Sequence, residues 1–327
     1  MTSHVRNASS DEVPVLDLAP LMTGAPLGDL PRQLDHACRT IGFFYVKNHG
    51  IPPEALDSAF AAADRFFSAP EHEKMKVFQD KRTMRGFMPQ GINQHAGFVP
   101  DLKESFMMSY DLPPDDPAVV ARMPLHGANQ WPEDKPWFRD AIEGYYDSAF
   151  YFGRQLLRLV AVALDLDERF FIEHTVRPMV SMNLFHYPPQ PPVSPENAFG
   201  VAPHTDYGLI TLLAQDPIGG LEIQKRDGEW IAAPYVPGTL VINIGDLLQR
   251  WTNDVWLSNS HRVINRTGKE RYSIPMFYNL DYEAPVACVP TCCGPETPPR
   301  YEPISSGDYL VSRFKSVQKY ESETETP

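Results

Sequence analysis

From Val180 onward the chain breaks into short apolar runs separated by Gly, Pro and Asp or Asn: SMNLFHY, LITLLAQD, LEIQKRDGEWIAAP, TLVINIGDLLQRW, HRVINR and RYSIPMFYNL. Runs of this length, punctuated this often, predict many short strands in an all-β barrel or sandwich. RDGEW reads as the turn of a hairpin. No internal repeat is visible.

The first half is mixed. VPVLDLAPL (Val13 to Leu21) alternates as a half-buried strand does, PRQLDHACRTIG has helical spacing through Leu34, Ala37 and Ile41, and FFYVKNHGI reads as a second strand. PEALDSAFAAADRFFSAPEHEKMKVF reads as helix broken at Pro70. Between Gln79 and Trp131 neither periodicity persists, and residues 83–100, containing MRGFMPQGINQHAGFVP, are expected to form a loop that closes over a site. Apolar residues three and four apart from Ile142 to Ala163 predict a long helix over Pro136 to Leu164, with that stripe in the core.

Charge narrows the partners. With 42 acidic residues against 29 Lys and Arg, the net charge of −13 argues against nucleic acid or an anionic membrane and in favour of a small molecule. No apolar run is long enough to span a membrane, MTSHVRNASSDE lacks the apolar segment of a secretion signal, and a cytoplasmic location is expected. The four cysteines are too few and too uneven for a disulfide framework and read as free thiols, with CVPTCC as a surface loop.

The chemistry begins at PHTDYGLITL. Side chains two apart in a strand leave on one face, so His204 and Asp206 project together. A second imidazole, His261, lies 55 positions beyond Asp206. Two histidines and one carboxylate form the facial triad of non-haem Fe(II) oxygenases, whose open coordination positions admit a co-substrate and O2. Ten residues past His261, Arg271 and Ser273 again share a strand face, and a guanidinium fork beside a hydroxyl suits the distal carboxylate of an α-keto acid. The remaining histidines lack partner ligands at useful spacing and read as structural.

With these elements in this order, the sequence resembles the 2-oxoglutarate and Fe(II)-dependent dioxygenases of the isopenicillin N synthase type. VPVLDL, ACRTIGFFYVKNHGI and FFSAPEHEKMKV resemble that family's N-terminal region, and HTDYGLITLL, GGLEIQ, GEWIAAPYVPGTLVINIGDLLQRWTN, SHRVIN and RYSIPMFY its oxygenase core. The resemblance implies a mainly β fold with flanking helices around a double-stranded β-helix, or jelly-roll. It places one oxygenase domain over 13–320, with a family N-terminal region at 13–130 and the core at 180–285. Residues 1–12 and the acidic tail 321–327 are expected to be disordered.

The same resemblance implies Fe(II), 2-oxoglutarate and O2 as cofactors, His204, Asp206 and His261 as metal ligands, and Arg271, Ser273 and Tyr187 as the 2-oxoglutarate site. Where many plant members read Asn-Tyr-Tyr-Pro-Pro, this chain has Phe185-His186-Tyr187-Pro188-Pro189, without the Asn contact. Tyr207, Arg85, Glu104 and Phe106 occupy family positions that contact substrate. Hydroxylation of a small metabolite is the implied reaction, a free amino acid the first substrate class and a flavonoid-like or terpenoid scaffold the second. Two alternatives share the motifs: an Fe(II) oxidase that needs no 2-oxoglutarate, as in isopenicillin N synthase, and a non-catalytic metal-binding module. Oligomeric state is not readable from the sequence.

Overall fold

The computed structural model describes residues 5–92, 98–189 and 198–317. Its N-terminal part supplies β1 (Val15–Asp17), α1 (Ala19–Thr23), α2 (Leu30–Thr40), β2 (Phe43–Lys47), α3 (Pro53–Phe67), α4 (Glu71–Lys74), β3 (Gly86–Met88), β4 (Glu104–Ser109) and α5 (Pro117–Val120). The long helix α6 (Pro136–Ala163) follows, then β5 (Ser181–Tyr187), β6 (Val201–His204), β7 (Ile210–Gln215), β8 (Leu221–Gln224), β9 (Trp230–Ala233) and β10 (Thr239–Ile244). The chain ends in α7 (Asp246–Trp251), β11 (His261–Val263), β12 (Arg271–Tyr278), β13 (Pro285–Val286), β14 (Ile304–Ser305) and α8 (Ser306–Val317).

Eight strands form one sheet in the order β1-β2-β10-β7-β12-β5-β4-β3, and four form a second in the order β6-β11-β8-β9. The two face each other as a jelly-roll: Phe43, Tyr45 and Val241 of the large sheet pack with Leu221, Ile223 and Ile231 of the small one. The outer face of the large sheet is covered by α6, whose residues Phe138, Ile142, Tyr145, Ala149, Phe152 and Leu156 are fully buried. At roughly 1.5–3 kcal/mol for each large side chain removed from water, this helix fixes which face of the sheet points outward. Gly153 allows the approach, since a Cβ there would strike the Tyr278 ring of β12.

Two expectations change. Residues 5–12 are not disordered: Ala8 N–H bonds Ala232 O, Ala232 N–H bonds Arg6 O, and the Arg6 guanidinium is held by Glu12 and Glu229. They cover the open edge of β9, where unpaired backbone groups favour an added strand. The irregular stretch after Gln79 also contributes structure, because β3 and β4 extend the large sheet in antiparallel register. Pairing with an existing edge supplies what their Gly- and Met-rich sequences lack in strand propensity. The expected loop at 83–100 falls partly, and the tail 321–327 wholly, outside the described residues.

Among the described residues, no helix is long and apolar enough to cross a membrane.

Candidate active site

His204 ends β6 and His261 begins β11, and the two are directly paired across the small sheet. Asp206 lies just beyond β6, and one ligand atom from each of the three residues falls within 4.8 Å of the others. Tight backbone packing brings the Asp206 turn there: a Cβ on Gly245 would collide with Gly208 O, and Asp246 N–H bonds Asp206 O at 2.7 Å.

The cluster is oriented from outside. Nδ1 of His204 bonds Ala202 O at 2.8 Å and Nδ1 of His261 bonds Asn259 O at 3.3 Å, which directs each Nε2 lone pair inward. Thr211 and Asn243 donate to Oδ2 of Asp206 at 2.6 and 2.7 Å, while Oδ1 lies 3.7 Å from each Nε2. Burial pushes the Asp206 carboxyl up, but the two imidazoles and the two donated hydrogen bonds outweigh it and hold the group below the usual carboxylate range. One carboxylate oxygen and two imidazole nitrogens converging in this way fit a divalent metal of the Fe(II) or Zn2+ kind.

A cavity of about 700 Å³ between the sheets joins this cluster to Arg271 and Ser273. The Arg271 guanidinium is completely buried, with Nε donating to Gly219 O, Nη1 to Ser273 Oγ at 3.3 Å, and Cζ 4.5 Å from the Tyr187 ring centre. Nη2 is buried and has no hydrogen-bond partner among the described residues. Leaving such a charged donor unsatisfied costs at least about 1–3 kcal/mol, and a carboxylate from the cavity would supply the missing acceptor. These residues therefore fit a keto acid as well as a metal.

The other candidates divide by strand parity. Tyr207 lines the cavity because β6 has ended before it, and its ring meets Phe314 of α8 edge-on at 5.8 Å with Arg313 at 4.8 Å. Arg85 is not a substrate contact: it is buried away from the cavity and donates to Asn129 Oδ1, Leu125 O and Tyr110 O. That desolvation pulls its pKa down to about 10. Glu104 and Phe106 also face away from the cavity. Glu104 is bonded by Lys74 and His186 at 2.6 and 2.7 Å, and Phe106 packs on Phe66, Phe138 and Trp131 beneath the helices.

Their neighbours Ser105 and Met107 line the cavity instead. The alternation in LKESFMMS is visible in the sequence, but only the helices packed on one side determine which parity is inside. Spacing does not single out Thr211 or Asn243; a lone Asn in the apolar run TLVINI is their one signal. His186, read as a structural histidine without partner ligands, bridges Glu104 and Glu270 with its ring and stacks on Tyr272.

Comparison with known proteins agrees with this geometry. Residues 13–134 match the family model described as the N-terminal part of non-haem dioxygenases in morphine synthesis, and residues 178–280 match that of the 2OG-Fe(II) oxygenase superfamily. The 2-oxoglutarate-Fe(II) type oxidoreductase hxnY of Emericella nidulans is 35% identical over 92% of this chain and 89% of its own. Among solved structures, a 2OG-Fe(II) oxygenase family protein of Caulobacter crescentus is 30% identical with a TM-score of 0.83, over 94% of this chain and 99% of that one. A full-length Neurospora crassa protein, crystallised in complex with alpha-KG and thymine, is 28% identical with a TM-score of 0.84, over 95% and 99%.

Proposed function

The chain belongs to the 2OG-Fe(II) oxygenase superfamily, and from that premise we propose that His204, Asp206 and His261 hold its Fe(II) while Arg271, Ser273 and Tyr187 hold its 2-oxoglutarate. Enzymes of this superfamily use Fe(II), 2-oxoglutarate and O2, which together supply an oxidant able to break a substrate C–H bond as the keto acid is converted to succinate and CO2. The protein's part is placement. Ala202 O and Asn259 O keep a proton on each Nδ1, leaving Nε2 free to ligate. Thr211 and Asn243 occupy Oδ2 of Asp206, so that Oδ1 is the ligating oxygen. Arg271 and Ser273 bind the distal carboxylate at the far end of the cavity, and the Tyr187 and Phe185 rings keep water from it.

The single observation that carries this reading is the buried Nη2 of Arg271, unpartnered among the described residues, in the cavity that also holds the three-ligand cluster. Hydroxylation of a small metabolite is the proposed reaction. The substrate side, between Met84, Met88, Ile92, Phe277 and Tyr207, is mainly apolar. Lys103 on that wall is neutralised by Asp101 at 2.5 Å. An uncharged, ring-bearing substrate fits these walls better than a free amino acid.

The test is an anaerobic titration of apoprotein with Fe(II) and 2-oxoglutarate, following the visible charge-transfer band of a chelated keto acid, alongside Arg271→Ala. The band is expected in the native protein and weakened in the variant. Iron binding without a band would shift the reading to an Fe(II) oxidase that draws its electrons from substrate alone.

A further inference from the structure

Resting on the oxygenase reading above, we infer that Asn183 is the residue that selects the substrate, and that the substrate presents to it a neutral lactam or carboxamide edge. Along β5 the side chains of Ser181, Asn183, Phe185 and Tyr187 all line the cavity. Register with β12 pairs Tyr187 with Arg271 and Phe185 with Ser273, so the keto-acid anchor occupies one end of this face. Asn183 is the next residue on the same face, beyond the Phe185 ring and opposite Met107 of β4.

Its amide is half-buried and makes no side-chain hydrogen bond among the described residues. Ser105 and Ser181, residues only 5% and 9% exposed, line the same wall, and their hydroxyls make no hydrogen bond among the described residues. All three face the cavity, so a ligand entering there meets an amide and two hydroxyls with open donors and acceptors.

Charge decides the ligand's chemistry. The positive groups lining the cavity are already engaged, Lys103 by Asp101 and Arg271 by the keto-acid site, and Arg313, against the Tyr207 ring, is held by Asp246 at 3.1 Å. Asp101 also accepts the Ala202 N–H at 3.1 Å, so it is committed to the fold rather than to an incoming cation. Recognition thus falls to neutral donors and acceptors. A primary amide carries its C=O and NH2 in one plane and matches a partner in which an N–H lies beside a C=O, giving two parallel hydrogen bonds.

Three probes of one shape and different polar edges test this: 2-quinolone, quinoline and quinoline-2-carboxylate, titrated calorimetrically into anaerobic protein loaded with Fe(II) and 2-oxoglutarate. The expected result is that 2-quinolone binds at least tenfold more tightly than either other probe, and that Asn183→Leu removes that preference. Asn183→Asp, nearly isosteric, replaces the donor with an acceptor and should also weaken 2-quinolone at least tenfold; it decides the matter if the Leu variant does not fold. Equal or tighter binding of quinoline or the carboxylate, unchanged 2-quinolone affinity in the folded variants, or no binding by any probe overturns the assignment. The charge-transfer band in the same samples separates the failures, since its presence leaves the oxygenase reading standing when the Asn183 assignment falls.

Discussion

Asn243, in the interior of the large sheet, donates to Oδ2 of Asp206 at 2.7 Å, turning the carboxylate so that Oδ1 faces both imidazoles. Partners of this kind commonly contribute about 10–100-fold to metal affinity. Asn243→Leu, alone or with Thr211→Val, is therefore expected to weaken Mn(II) binding by about tenfold or more, read by electron paramagnetic resonance of the free ion. Affinity equal to that of the native protein would mean that the carboxylate needs no such orientation.

Arg271→Lys keeps the charge but removes the planar fork. Hydrogen bonds to charged groups are worth about 1.5–3 kcal/mol, so the half-saturating 2-oxoglutarate concentration should rise roughly 10–100-fold. Iron affinity without the keto acid should be unchanged. A Lys variant that saturates like the native enzyme would show that charge alone recognises the co-substrate.

Strand parity in β4 makes opposite predictions for adjacent residues. Phe106→Ala opens a cavity beneath α3 and α6 and should cost about 3–5 kcal/mol in urea unfolding. Met107→Ala, on the cavity wall, should cost less than half of that and alter substrate affinity instead. Similar stability losses at both positions would contradict the assigned faces.

The His186 ring is faced by Glu104, Glu270, Tyr272 and Phe67, with Lys74 on the far side of Glu104. Burial pulls its pKa down, yet the hydrogen bonds to the two glutamates prevail and leave it above the ordinary 6.5. A raised folded value means the protonated ring stabilises the fold fully below about pH 6.5 and that this contribution fades as pH rises through the folded value. Glu104, held below its usual range, adds the opposite dependence only near and below 4.5. Native protein should thus exceed His186→Phe in stability most at about pH 6, with the gap shrinking as pH rises above the ordinary 6.5 and through the raised folded value. A gap that stays constant across this range in urea titrations would refute the charged bridge.

Much of the site is legible along the chain because the i, i+2 rule is local. It places His204 with Asp206 and Arg271 with Ser273 whatever surrounds them. The succession of short runs after Val180 likewise demands a β architecture, and the stripe from Ile142 to Ala163 a packed helix. Only the tertiary structure decided which face of each strand looks inward. The burial of α6 and α3 against the large sheet sends Glu104 and Phe106 outward and Ser105, Met107 and Asn183 toward the cavity. It also closes Arg85 into a shell of backbone carbonyls and brings Thr211 and Asn243 to Asp206. Those relations depend on elements far apart in sequence, and the free energy that selects them is the burial of apolar surface, which local spacing does not encode.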